Sequence, residues 1–78
     1  MKKYEVESSN IATVSYDLET SELLIVFKDG AAYLYKEVRT DVVCRLLFSD
    51  SVGSTFHRII KKNYDAEKVD DEKETAQA

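Results

Sequence analysis

The sequence predicts an α+β domain: a three-stranded antiparallel β-meander followed by two short helices packed on one face, in the order βββαα. Three observations carry this. Short runs of strand-forming residues separated by turn residues fill positions 11–35. After Thr40 the apolar residues begin to recur at helical spacing. The 78 residues hold one small core and no second domain.

The first strand is expected over Ile11 to Tyr16, where Thr13, Val14 and Tyr16 favour extended backbone and the alternation is loose. Polar residues from Asp17 to Ser21 interrupt it. Leu23-Leu24-Ile25-Val26-Phe27 is a continuous apolar run of strand length. Lys28-Asp29-Gly30-Ala31 marks a hairpin, because Asp-Gly suits the positive φ of a tight primed turn. In the third strand Ala31, Tyr33 and Tyr35 share one face, and Ala32 and Leu34 the other.

The first helix is expected to start at Thr40-Asp41, a cap and a first-turn acid, and to bury Val42, Val43, Leu46 and Leu47. Ser49-Asp50-Ser51 ends it. In the second helix Val52, Phe56, Ile60 and Tyr64 step by four, with Ile59 beside them. Its outer face carries Ser54, His57, Arg58, Lys61 and Lys62.

Charge divides the chain. The net charge is −4. From Asp65 onward six acids face two lysines, so that stretch carries the whole of it and residues 1–64 sum to zero. Residues 1–7 read as an N-terminal extension, 8–69 as the folded domain and 70–78 as an acidic disordered tail. Cys44 is the only cysteine and His57 the only histidine, so no disulfide within the chain and no Cys/His zinc site is expected. The charged start, Met1-Lys2-Lys3-Tyr4-Glu5, lacks the apolar run of a signal peptide, and Leu23 to Phe27 is too short to span a membrane. The expected location is the cytoplasm.

The ordered set of motifs resembles the KTSC family. Ser8-Ser9-Asn10-Ile11 precedes Val14-Ser15-Tyr16-Asp17; Leu24, Val26 and Phe27 precede Gly30; Tyr33-Leu34-Tyr35 matches the family's Tyr-x-Tyr motif and is followed by Val38. Ser51-Val52-Gly53-Ser54-Thr55-Phe56 then leads into Ile60-Lys61 and Tyr64. The resemblance runs over residues 8 to 69. It implies a small domain that occurs alone in bacteria and phages and at the C-terminus of some lysyl-tRNA synthetases, and for which RNA binding has been suggested. Two positions depart from the pattern: Arg39 stands where the family has proline, and His57 where it has asparagine.

The candidate binding residues are Tyr33, Tyr35, Arg45, His57, Arg58, Lys61 and Lys62. Tyr33 and Tyr35 on one strand face form either a stacking platform for unpaired bases or, as is commoner for tyrosine, part of the core. Arg58, Lys61 and Lys62, with Arg45 near them, form either a phosphate-contacting stripe or a solvated helix face. Ser51 and Gly53 at a helix start suit an anion, but capping by Ser51 and close packing of Gly53 on Tyr33 or Tyr35 explain them better. Cys44, between Val43 and Leu46, is expected to be a small semi-buried residue. No spacing joins Cys44, Ser51 and His57 into a catalytic group, so neither catalysis nor a cofactor is expected. Two functions remain open: a module that binds nucleic acid, RNA first, and a protein-interaction module that binds a host or cellular protein.

Overall fold

The computed structural model describes residues 1–69. Its strands are β1 (Lys2–Glu5), β2 (Ile11–Asp17), β3 (Glu22–Phe27), β4 (Ala32–Tyr35) and β5 (Ala66–Val69). Between β4 and β5 lie α1 (Thr40–Leu47) and α2 (Val52–Thr55), the latter running on into a π-helical turn, Phe56–Lys61. The strands form one antiparallel sheet in the order β1-β2-β3-β4-β5.

The expected three-stranded sheet is therefore corrected to five strands, while the α+β class and the two helical segments stand. The two added strands are the edges. In β1 Lys2, Lys3 and Glu5 are exposed and only Tyr4 is half-buried; in β5 only Val69 is. Backbone ladders hold these strands more than buried side chains do, so they leave little apolar signal. Charges on edges also discourage pairing with other chains. Lys2–Glu5, read from the sequence as part of an extension, is thus a strand of the sheet. The acidic tail expected over residues 70–78 lies outside the described residues.

A β-bulge explains the loose alternation of β2. The register shifts between Ile11 and Thr13, so Ile11 and Val14 both turn to the core face although three positions apart. The β3–β4 hairpin forms where expected, with a different turn. The Gly30 N–H bonds to the Phe27 carbonyl (3.0 Å), the Asp29 carboxylate accepts from the Ala31 N–H (3.0 Å), and only Gly30, at φ +97°, is left-handed in this loop. A primed turn would need positive φ at the first central residue too.

Helices and sheet meet through one core cluster. Val14, Tyr16, Leu23, Ile25 and Tyr35 from the strands pack with Val43, Leu46, Val52, Phe56 and Ile60 from the helices. The periodic positions of the second helix are thus borne out: Val52, Phe56 and Ile60 are buried, with Ile59 and Tyr64 packed against the cluster, while in α1 Val43 and Leu46 are buried and Val42 and Leu47 only partly so. The N-cap of α1 is Arg39 rather than Thr40, and its side chain makes no capping bond. At φ −69° and ψ 146° Arg39 adopts angles open to proline, so the backbone here keeps the shape that the family's residue would impose. The Tyr16 hydroxyl anchors this start from inside by donating to the Val38 carbonyl (2.6 Å).

Candidate functional site

Tyr33 and Tyr35 share the helix-covered face of β4, opposite Ile25 and Leu23. Their fates differ. Tyr35 is 3% exposed, with its ring edge-on to Phe56 at 5.7 Å. Burial, and secondarily the neighbouring Tyr33, push its hydroxyl pKa above the usual tyrosine value. Tyr35 is therefore core and offers no stacking surface. Tyr33 stays half-buried, edge-on to Phe27 at 5.7 Å. Of the two alternatives, core holds for Tyr35, and only the Tyr33 ring remains available for stacking.

That ring faces a groove between β4 and the π-helical turn, a cavity of about 460 Å³ lined by Phe27, Tyr33, Tyr64, His57, Lys61 and Asp65 and floored by Tyr35 and Phe56. The turn starts at Phe56, whose ring is held edge-on by Phe27 and Tyr35, each at 5.7 Å. With Phe56 and Ile60 inward, the next residues, His57 and Lys61, line the groove and are exposed. The His57 ring lies 5.5 Å from that of Phe56. Lys68 on β5 pairs with Tyr33 in register and brings a further cation to the same strand face.

Four of the seven sequence-named residues thus meet at one groove: Tyr33, Tyr35, His57 and Lys61. Arg58 and Lys62 are exposed on the same turn but do not line it, and Arg45 sits on α1, away from it. Phe27, Tyr64, Asp65 and Lys68 escaped the sequence reading. The helical step that placed Tyr64 beside Ile60 was a signal for one of them. The pairing of β5 with β4, which brings Lys68 to Tyr33, had none.

The other candidates resolve as structure. The Ser8 hydroxyl accepts from the N–H groups of Asn10 and Ile11 (both 3.2 Å) and so caps the start of β2. A Cβ on Gly53 would stand 3.4 Å from that hydroxyl oxygen, an ordinary contact, and within 4 Å of neither Tyr33 nor Tyr35, so close packing on those tyrosines does not explain the glycine. Ser51 is the N-cap of α2 without a side-chain bond; instead Ser49 accepts from the Ser51 N–H (3.1 Å) and bonds the Thr55 hydroxyl. Cys44 is exposed rather than semi-buried, because Val43 and Leu46 take the inward positions. It lines a different groove from His57. Among the described residues no group of His, Cys, Asp and Glu is placed to hold a metal ion, and no helix is long and apolar enough to cross a membrane.

The class these features define is a small α+β domain with helices on one face of an antiparallel sheet and an aromatic groove at their junction. The KTSC domain family model matches residues 7–64, and the chain belongs to the KTSC family. Two relatives are an uncharacterized protein of Stutzerimonas stutzeri strain A1501, 36% identical over 82% of this chain and 90% of its own length, and a protein of Tsukamurella paurometabola, 39% identical over 78% and 91%. The crystal structure of a KTSC domain protein from Yersinia pestis is 28% identical and superposes with a TM-score of 0.80, covering 87% of this chain and 96% of that one.

Proposed function

We propose that the protein is a non-catalytic binding module that takes an unpaired base of single-stranded RNA in the groove between β4 and the π-helical turn. The observation that carries this reading is the meeting of Tyr33, Tyr64, His57 and Lys61 around one open groove of about 460 Å³, wide enough to admit a base. An aromatic ring stacks any base through its π-face, and a lysine at the rim neutralises the adjoining phosphate. Arg58, next to His57, and Lys68, paired with Tyr33, are further cations outside the lining, and Asp65 is an acid within it. The neutral body sets the strength: with two or three phosphates contacted, log affinity falls with log salt at a slope of only about −1.5 to −2.

A fluorescence-anisotropy titration of short single-stranded RNAs at two salt concentrations tests this. Tyr33→Ala should weaken binding about tenfold to a hundredfold, the worth of one stacked base. Lys61→Glu should weaken it and flatten the salt slope, while Arg45→Glu should change little. Wild-type protein that binds no RNA refutes the reading. The second reading, docking of a host or cellular protein, draws on a different place. Leu18 and Phe48 are 73% and 86% exposed, and Leu18 borders the groove that holds Tyr4, Cys44 and Leu47. Leu18→Ser with Phe48→Ser would abolish that contact and leave RNA binding intact.

A further inference from the structure

The sheet has a second face, opposite the helices. Cross-strand partners share a face, so the register reads it in rows. One row runs Lys3–Ser15–Leu24–Leu34–Glu67 across all five strands. The next runs Glu5–Thr13–Val26–Ala32–Val69. None of these residues belongs to the cluster that joins sheet to helices. The central positions are apolar or small, and Ser15 and Ala32 lie low between their neighbours, at 7% and 1% exposure. The face therefore has an apolar, half-buried middle and a lysine and a glutamate at opposite ends of one row.

We propose that this face is a homodimer interface, occupied by a second copy of this chain related by a two-fold axis along β3. Rotation about that axis exchanges β1 with β5 and β2 with β4, and lays β3 on itself. Lys3 then comes over Glu67 of the second copy, and Glu67 over its Lys3, so one row supplies two reciprocal ion pairs. Leu24 and Val26 meet their own counterparts, Thr13 meets Ala32, and Ser15 meets Leu34. Sheets packed face to face stand about 10 Å apart, a gap that a lysine and a glutamate reaching from opposite sides can close. Glu67 already lies 3.6 Å from Lys36, an exposed pair that holds the carboxylate at this edge. Two kinds of contact oppose association. Glu5 comes over Val69 of the second copy, which desolvates a carboxylate against an apolar side chain. Glu22, paired with Asp17 at the end of β3, falls on the axis against its own copy. A footprint of five strands by four residues measures about 24 by 13 Å, less than a standard interface of about 800 Å² per partner. The dimer is accordingly weak and concentration-dependent.

Sedimentation equilibrium of the full chain from about 10 µM to 1 mM reads the association directly. Lys3→Glu alone and Glu67→Lys alone should each weaken it by about tenfold or more, since each loses two symmetric pairs and gains like charges. The double variant Lys3→Glu with Glu67→Lys should restore it. Glu22→Gln should tighten it. Lys3 and Glu67 are exposed, and circular dichroism confirms that each variant is folded. A wild-type monomer throughout that range, or a charge-swapped double variant no better than the single ones, overturns the proposal. Neither outcome touches the RNA groove, which lies on the other face.

Discussion

Phe56→Ala removes the ring on which three elements converge. Phe56 is 1% exposed and meets Phe27 of β3 and Tyr35 of β4 edge-on, each at 5.7 Å, from the start of the π-helical turn. Truncating a buried phenylalanine costs about 3–5 kcal/mol, which includes the two aromatic pairs. A domain of this size has roughly 4–10 kcal/mol in all. The variant should therefore lose about half its stability, and its Tm should fall by about 12–40 °C at 4–8 °C per kcal/mol. Urea unfolding followed by circular dichroism measures this, with Phe48→Ala, at 86% exposure, as the control that should move by less than about 0.5 kcal/mol. Phe56→Leu, which keeps most of the volume, should recover most of the loss. A cost below about 1 kcal/mol for Phe56→Ala would refute the packing argument, because no buried ring in a core this small is so dispensable.

Three further outcomes follow from the same geometry. Gly30→Ala has open space for its Cβ but must hold φ +97°, so it should destabilise by about 1–2 kcal/mol through backbone strain alone; a neutral result in thermal melts would put the turn in another conformation. Burial raises the pKa of the Tyr35 hydroxyl above the usual tyrosine value, so its contribution is complete below the unfolded-state pKa. It is lost as pH rises through the folded-state value. Absorbance titration should show one of the five tyrosines ionising late, and Tyr35→Phe should lessen the alkaline loss of stability; an unchanged alkaline profile counts against a buried hydroxyl. Arg39→Pro suits the angles at φ −69° and removes only an exposed ion pair to Asp41 (3.2 Å), so the melting temperature should hold or rise by the equivalent of about 0.4–1 kcal/mol; a clear drop would show that the Arg39 N–H has a partner.

What the sequence made legible was whatever buried side chains encode. The apolar run of β3, the alternation of β4, the step of four through Val52, Phe56 and Ile60, and the Gly30 hairpin all leave periodic or turn-specific residues. The edge strands were missed for the converse reason. Lys2-Lys3-Tyr4-Glu5 and Ala66-Glu67-Lys68-Val69 are held by ladder hydrogen bonds that any residue except proline can make. The site followed the same divide. His57 and Lys61 were identified because exposed charges on a helix stand out, and Tyr33 because of its motif. Tyr35 was ambiguous, since a ring on a strand face looks the same whether or not a second ring lies over it; Phe56 decides that, from a distant part of the chain. Phe27 passed for ordinary core, and Lys68 came beside Tyr33 only through a strand that the pattern did not announce.

The placement of both helices between β4 and β5 also has a bearing on how the chain is made. β2, β3 and β4 pair with their neighbours through short turns and are complete once Tyr35 has left the ribosome. The outer edge of β4 has no such neighbour at hand; its partner arrives only after both helices have been synthesised. Throughout that interval a strand reading Ala32-Tyr33-Leu34-Tyr35 presents unpaired N–H and C=O groups beside apolar side chains, the form in which nascent chains adhere to one another. Fast collapse of α1 and α2 over the aromatic face shields one side of that strand but not its edge. Slowing translation downstream of Lys61, or withholding β5, should therefore show up first as aggregation rather than as loss of the helices.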